Sequence, residues 1–272
     1  MTSPKWWRAT IPRGEYLKDG RPNPYYGYST VELGESFEKH GAERWVIGEE
    51  TGEDGYEHWQ AHIVFSKGKT LENLRLIYPM VHWTPSQHHN FEYEEKEGKY
   101  IRSWEKALTR YINVPLWPWQ KELLDHIEAS KGDDRHITFL LDDEGCSGKT
   151  FLSKHLVGTH KAAYCPPLAE SKDYMAWALA HSNAGCFILD MPRAESFKNI
   201  EKEAQLWSAI EQMKNGYLYD QRHQWREKWI DPPTIIVIAN WEPRWECLSK
   251  DRWIPAKLEG SKGKTKWINW VP

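Results

Sequence analysis

The chain is expected to fold as two units in series, an α+β unit on an antiparallel sheet followed by an α/β unit with a largely parallel sheet. Three observations point there. Short runs rich in aromatic and β-branched residues, partly alternating with polar ones, fill the N-terminal part. Near-continuous apolar runs, ITFLL, CFIL and TIIVIA, follow in the second part, as strands covered on both faces require. At 272 residues with 40% hydrophobic content, the chain also exceeds one small domain and suits two.

In the first unit, residues 5–12 (KWWRATIP), 44–48 (RWVIG) and 58–66 (HWQAHIVFS) read as strands. Thr30 to His40 and Thr70 to Ile77 read as helices, the latter placing Leu71, Leu74, Leu76 and Ile77 at mostly helical spacing. Residues 88–105 are taken as a helix, and the unit as residues 1–105. Pro115 and Pro118 mark residues 106–118 as a linker, because proline interrupts helix and sheet alike. An amphipathic helix, Pro118 to Ala129, opens the second unit, residues 119–272. The strands Ile137–Leu141, Cys186–Leu189 and Thr234–Ala239 follow, each ending at a polar residue where the chemistry of such sheets lies.

Net charge is −3, which speaks against nonspecific coating of duplex nucleic acid but not against an enzyme with local basic residues. Lys257, Lys262, Lys264 and Lys266, against Glu259, form one such cluster, and a solvated tail is the plainer account of it. The four cysteines, Cys146, Cys165, Cys186 and Cys247, include no CxxC pair, so neither a disulfide framework nor structural zinc is indicated. The start of the chain lacks the apolar core of a signal peptide, and no run of about 18 apolar residues occurs to span a bilayer. An intracellular protein with no membrane association is expected. Most of the 17 tryptophans are assigned to packing.

Gly145-Cys146-Ser147-Gly148-Lys149-Thr150 lies between an apolar strand and the helical run FLSKHLVG. Such a turn converges backbone N–H groups on phosphate oxygens at a helix N-terminus, with a lysine to neutralise the outer phosphates and a threonine for Mg²⁺. Asp143 stands where the usual motif has its first glycine. Asp190, ending CFILD, is suited to anchor the water shell of Mg²⁺, and Asn240, ending TIIVIAN, to orient an attacking water. Together these point to ATP with Mg²⁺ at this site. Met191 occupies the place of a second acid, which leaves the base for hydrolysis open.

His58, Gln60 and His62 alternate, so a strand presents all three on one face. With a carboxylate from Gly48-Glu49-Glu50 they form a mixed N/O donor set suited to Mg²⁺ or Mn²⁺. Tyr93 and Lys96, three apart, share a helical face. A phenol, with a solution pKa of about 10, needs a cation or a metal-polarised phosphate to act as a nucleophile at neutral pH. Lys96 and the metal answer that need, with Tyr93 attacking a DNA phosphodiester and releasing a 3′-hydroxyl. A lone tyrosine on an amphipathic helix would be unremarked without the upstream cluster.

In content and order these segments resemble the replication-associated (Rep) proteins of circular single-stranded DNA viruses. Trp7-Arg-Ala-Thr10-Ile-Pro-Arg is similar to the first motif of that family, His58-Trp-Gln60 to its HUQ motif and Tyr93-Glu-Glu-Lys96 to its YxxK motif. Gly145 to Thr150, Asp190 and Asn240 resemble Walker A, Walker B and motif C of its superfamily-three helicase. GEETGEDGYEHWQ and TIPR look most similar to smacovirus Rep. The resemblance implies an HUH endonuclease domain and a helicase acting in rolling-circle replication: nicking and rejoining single-stranded DNA at a hairpin origin, and ATP-driven unwinding by a hexameric ring. It implies a small helical oligomerisation segment at the start of the second unit, and a nuclear location where the host is eukaryotic. It leaves either Glu49 or Glu50 as the third metal ligand beside His58 and Gln60, and strand alignment on Gly48 favours Glu50. Leu248-Ser-Lys-Asp-Arg252-Trp resembles the segment after motif C, and Arg252 would reach the nucleotide of a neighbouring subunit. KNGYLYDQRHQWREKW resembles the hairpin that grips single-stranded DNA, with Lys214 and Lys228 on phosphates. Two other readings stand beside this one, a nucleic-acid-binding ATPase whose N-terminal unit does not cleave and a small-molecule P-loop kinase. Arg252 and the basic, aromatic hairpin weigh against the kinase.

Overall fold

The structure is a computed structural model and describes residues 3–191, 199–222, 224–260 and 264–269. It is mixed α and β and divides into two compact units, Met1–Thr109 and Arg110–Pro272. Among the described residues no helix is long and apolar enough to cross a membrane.

The first unit contains β1 (Trp6–Pro12), α1 (Thr30–Lys39), β2 (Ala42–Thr51), β3 (Glu57–Phe65), α2 (Leu71–Ile77), β4 (His82–Pro85) and β5 (Tyr100–Arg102). The strands form an antiparallel sheet in the order β4-β1-β3-β2-β5. Strand alternation makes the sheet two-faced. Trp7, Ala9 and Ile11, Trp45 and Ile47, and Trp59, Ala61, Ile63 and Phe65 point one way and pack with Leu33 and Phe37 of α1 and Leu74 of α2. Each such large side chain contributes about 1.5–3 kcal/mol through burial. Arg8, Thr10, Glu50, His58, Gln60 and His62 point the other way. α1 begins at a capping box, in which Ser29 accepts from the Glu32 amide and Glu32 accepts from the Ser29 amide. Thr70 caps α2 through its side chain.

The helix expected over residues 88–105 is not formed. In its place stand a single 3-10 turn, Glu92–Glu95, the edge strand β5, and a run of 3-10 turns, Ser103–Tyr111. Gly98, at φ 71°, breaks the helical path, and the Lys99 carbonyl is taken by the Glu49 amide as β5 joins β2. A 3-10 turn repeats every three residues, so Tyr93 and Lys96 still share a face. Gly48 is what admits this turn to the sheet. A Cβ there would lie 2.1 Å from the Glu94 carbonyl oxygen.

The second unit contains α3 (Pro118–Ala129), β6 (Ile137–Leu141), α4 (Lys149–Gly158), β7 (Ala163–Cys165), α5 (Ser171–Ala180), β8 (Cys186–Asp190), α6 (Ile200–Lys214), β9 (Tyr217–Asp220), β10 (Arg226–Trp229), β11 (Thr234–Ala239), β12 (Trp253–Glu259) and β13 (Lys266–Asn269). Its main sheet runs β13-β12-β6-β11-β8-β7, parallel except for the β12–β13 pair. Phe139, Phe187 and Val237 face an apolar layer with Tyr174 of α5 and Trp207 of α6. Leu140, Ile188 and Ile236 face another with Trp119 of α3 and Leu152 of α4. Burial on both faces is why these strands read as unbroken apolar runs. β9 and β10 form a separate antiparallel hairpin. Cys146, Cys165, Cys186 and Cys247 are free.

Gly48→Ala is expected to destabilise the chain by about 1–3 kcal/mol, because a rigid carbonyl rather than a flexible side chain must move. Urea unfolding of the variant against the parent measures it.

Candidate functional site

On the polar face of the first sheet, Glu50 stands directly across from His58 and Gly48 across from Gln60. His58 Nε2 lies 3.7 Å and Lys96 Nζ 2.9 Å from the same Glu50 oxygen, Oε2. Glu50 Oε1 is buried without a hydrogen-bond partner. The His58 Nδ1–H donates to the Tyr56 carbonyl at 3.1 Å, which turns Nε2 toward Glu50, the ring orientation of a ligating imidazole. Gln60 Oε1 accepts from the Thr10 hydroxyl at 2.9 Å. Glu49, one residue away in β2, pairs with Arg13 at 3.4 Å beside Trp59 on the other face. Strand parity thus separates the two glutamates. Among the described residues no group of three or more His, Cys, Asp or Glu is arranged to hold a metal; the set found here takes its third donor from an amide.

Tyr93 is 46% exposed. Its ring lies 4.0 Å from Lys96 Nζ and 4.9 Å from the Arg8 guanidinium carbon. Burial pulls the Lys96 ammonium down, but bonds to Tyr93 and Glu50 outweigh it and hold Lys96 above its ordinary value. Lys96 therefore joins the tyrosine to the Glu50–His58 pair. His62, expected beside His58 and Gln60, is fully buried and faces Glu94 at 3.4 Å instead. Arg8, opposite His62 in β1, reaches Glu94 at 3.2 Å. Neither Arg8 nor Glu94 stands out in the sequence, since the meeting joins a strand to a turn far along the chain.

In the second unit, the backbone after β6 turns through positive φ at Gly145 (81°), Cys146 (56°) and Gly148 (85°), the last capping α4. Glycine fits this conformation at two of the three positions. Asp142, which sequence reasoning passed over, organises the loop. Its carboxylate accepts from the Gly145 amide at 2.9 Å, from the Ser147 hydroxyl at 2.6 Å and from Lys149, while its carbonyl accepts from the Asn240 amide. Burial raises the Asp142 carboxyl, but these donors outweigh it and hold it below its ordinary value. β11 is the direct neighbour of β6, which brings Asn240 to the loop; β8, with Asp190 at its end, lies one strand further out. Asp190 accepts from the Tyr164 hydroxyl at 2.7 Å, and burial together with that bond holds the Tyr164 phenol well above its ordinary range. Thr150 lies in the first turn of α4.

Other expected residues are placed differently. Arg252 precedes β12, whose Trp253 pairs with Ile137, so it lies at the end of β6 opposite the glycine-rich loop. Its guanidinium is buried on Glu211 at 2.8 Å, with weaker bonds toward Asn215 and the Arg135 carbonyl. Within the chain it does not join Gly145 to Thr150. Lys214 does not contact solvent. It is the fully buried last residue of α6, donating to the Pro233 carbonyl at 3.0 Å, and burial lowers its pKa. An interior ammonium cannot meet a DNA phosphate in this arrangement. Lys228, on β10, is exposed and binds Ser182 at 2.8 Å and Asn183 at 3.2 Å. Lys257 pairs with Asp143 at 3.0 Å rather than standing solvated. Lys262 lies outside the described residues.

Because folding lowers the Asp142 pKa, the unfolded chain binds more protons between the lowered and ordinary values. The stability from Asp142 is present above the ordinary value and lost as pH falls through the lowered one. Asp142→Asn is expected to melt below the parent at about pH 7, with the gap narrowing toward about pH 3, followed by circular dichroism.

No protein-family model matches the chain. In sequence it is similar to proteins named Master replication protein. That of Faba bean necrotic yellows virus is 32% identical over 163 residues, covering 60% of this chain and 50% of the relative. That of Milk vetch dwarf virus gives the same identity and coverage, 32% over 163 residues. That of Subterranean clover stunt virus is 30% identical over 164 residues, 58% of this chain and 53% of the relative. The chain spans about half the length of the curated relatives it matches.

Proposed function

We propose that the chain is a replication initiator for a circular single-stranded DNA replicon. The first unit acts as an HUH endonuclease that nicks and rejoins single-stranded DNA at a hairpin origin through Tyr93, and the second as a superfamily-three helicase driven by ATP. The observation that carries this reading is the exposed Tyr93 bracketed by Lys96 and Arg8, with Lys96 resting on the Glu50 that faces His58. Similarity to viral proteins named for replication supports it. The narrower likeness to smacovirus Rep rests on GEETGEDGYEHWQ and TIPR alone.

Glu50, His58 and Gln60 fit a Mg²⁺ or Mn²⁺ ion. The unpartnered Glu50 Oε1, the His58 Nε2 beside Glu50 and the amide oxygen of Gln60 lie on one face. A divalent ion bound there supplies positive charge to the non-bridging oxygens of a phosphodiester. The chain's own groups do the rest. Tyr93 Oη gives up its proton to water and forms a bond to phosphorus as the bond to the 3′ oxygen breaks, and that oxygen takes a proton from water and leaves as a 3′-hydroxyl. Lys96 and Arg8 beside the Tyr93 ring would place positive charge near the phosphate under attack. The phosphotyrosyl diester that results is as reactive as the one it replaced, so a 3′-hydroxyl can reverse the step and close a circle.

In the second unit, ATP would take Lys149 from Asp142 and meet the backbone amides that open α4. Thr150 and Asp190 suit the accompanying Mg²⁺, and Asn240 a water near the terminal phosphate. No carboxylate follows Asp190, since the next residue is the buried Met191. The β9–β10 hairpin offers single-stranded DNA the exposed rings of Trp225 and Trp229 on one face, while Lys228, alternating to the other face, is held by Ser182 and Asn183. A hexameric ring, in which Arg252 would turn from Glu211 toward a neighbour's nucleotide, and a nuclear location in a eukaryotic host complete the proposal.

With a labelled stem-loop oligonucleotide and Mn²⁺, the chain is expected to give a covalent protein–DNA band that Tyr93→Phe abolishes while binding persists. Absence of the band from the parent would leave an ATPase whose first unit only recognises nucleic acid. Lys149→Ala is expected to form the band normally and lose ATP hydrolysis, read by phosphate release.

A further inference from the structure

We propose that Glu94 is the positioning residue of the nucleophile, its buried carboxylate clamped between Arg8 and His62 so that the turn carrying Tyr93 is fixed over the polar face of the sheet. The inference rests on Tyr93 being the nucleophile and adds what holds it in place.

The turn Glu92–Glu95 has only four residues. So short a 3-10 turn has no stability of its own, and its position must come from its attachments. Three are visible. The Glu94 side chain, with no exposure to solvent, points down onto Arg8 and His62, which stand opposite each other in register on β1 and β3. The Glu94 carbonyl lies where a Cβ at Gly48 would be. Phe91, just before the turn, packs edge-on against the His62 ring at 5.2 Å. Arg8 then continues past Glu94 to the Tyr93 ring, 4.9 Å away. One guanidinium thus ties the buried anchor to the exposed phenol.

A buried ion pair contributes little net stability, because desolvation offsets its attraction. Retaining a buried carboxyl group beneath an exposed tyrosine is better explained by the placement it imposes. Attack on phosphorus tolerates little misplacement, and a shift of about 1 Å costs roughly 100-fold in rate.

The test uses the full chain with Glu94→Ala and Glu94→Gln, the latter keeping shape and one acceptor oxygen. Three quantities are read: the single-turnover rate of the covalent band at saturating stem-loop, the affinity for that oligonucleotide, and hydrogen exchange across residues 91–96. Glu94→Ala is expected to slow the band roughly 100-fold and speed exchange in the turn, with affinity and ATP hydrolysis unchanged. Glu94→Gln should recover part of the rate. A purely structural role would instead lower rate, affinity and melting temperature together, without graded recovery, and would overturn the proposal. So would wild-type rate and exchange in Glu94→Ala. Should that variant not fold, hydrogen exchange across residues 91–96 in Arg8→Gln, and not its rate, reads the same attachment from its partly exposed end, because Arg8 also lies beside the Tyr93 ring. If the parent forms no band, or Tyr93→Phe still forms it, the nicking reading falls. Exchange at residues 91–96 then decides the positional claim by itself, and an unchanged pattern sinks it.

Discussion

The first unit depends on keeping charge stable on one face of a sheet whose other face is the core. β3 alternates Trp59, Ala61 and Ile63 toward the core with His58, Gln60 and His62 away from it. That second face is covered in part by the turn at Glu92–Glu95, so its charged groups leave bulk water and must find partners within the protein. They meet in two clusters: Glu50 with His58 and Lys96, and Glu94 in ion-pair contact, short of hydrogen bonds, with His62 and Arg8. Tyr93 stands where the clusters meet, since Lys96 belongs to one and Arg8 to the other. Gly48 makes this possible by its missing side chain, letting a backbone carbonyl lie on the sheet.

Both candidate sites share a physical device. In each, a lysine proposed to act on phosphate rests on a carboxylate of the site itself: Lys96 on Glu50 and Lys149 on Asp142. A buried carboxylate without a partner would cost several kcal/mol, so the lysine is held until a competing ligand arrives. Under the proposed reading, a metal ion at Glu50 or phosphate at the loop exchanges these partners rather than filling a neutral hollow. Asp142 serves further as a brace, bonding Gly145, Ser147 and, through its carbonyl, Asn240 on the adjacent strand.

Much of the scaffold is legible because the patterns are local. The alternation in HWQAH and the apolar runs ITFLL and TIIVIA each declare an element within a few residues. What escapes is set by distant partners. The segment from residue 88 to 105 has helix-forming residues, yet Gly98 and pairing of β5 with β2 divide it. The short edge strands β4 and β7 carry too few residues for a period to show. Lys214 reads as a basic residue before a hairpin, and only packing reveals it as the buried end of α6. The choice between Glu49 and Glu50 is undecidable from two adjacent acids and is separated at once by register. Asp142 is hidden by its place before the loop rather than within it.

Mass spectrometry of the protease-digested covalent complex tests the central claim most directly, because it locates the linkage rather than inferring it. The account requires the nucleotide mass on the peptide containing Tyr93, joined through the tyrosine oxygen. A linkage at Tyr100, Tyr111 or any other residue, with Tyr93 unmodified, would contradict it.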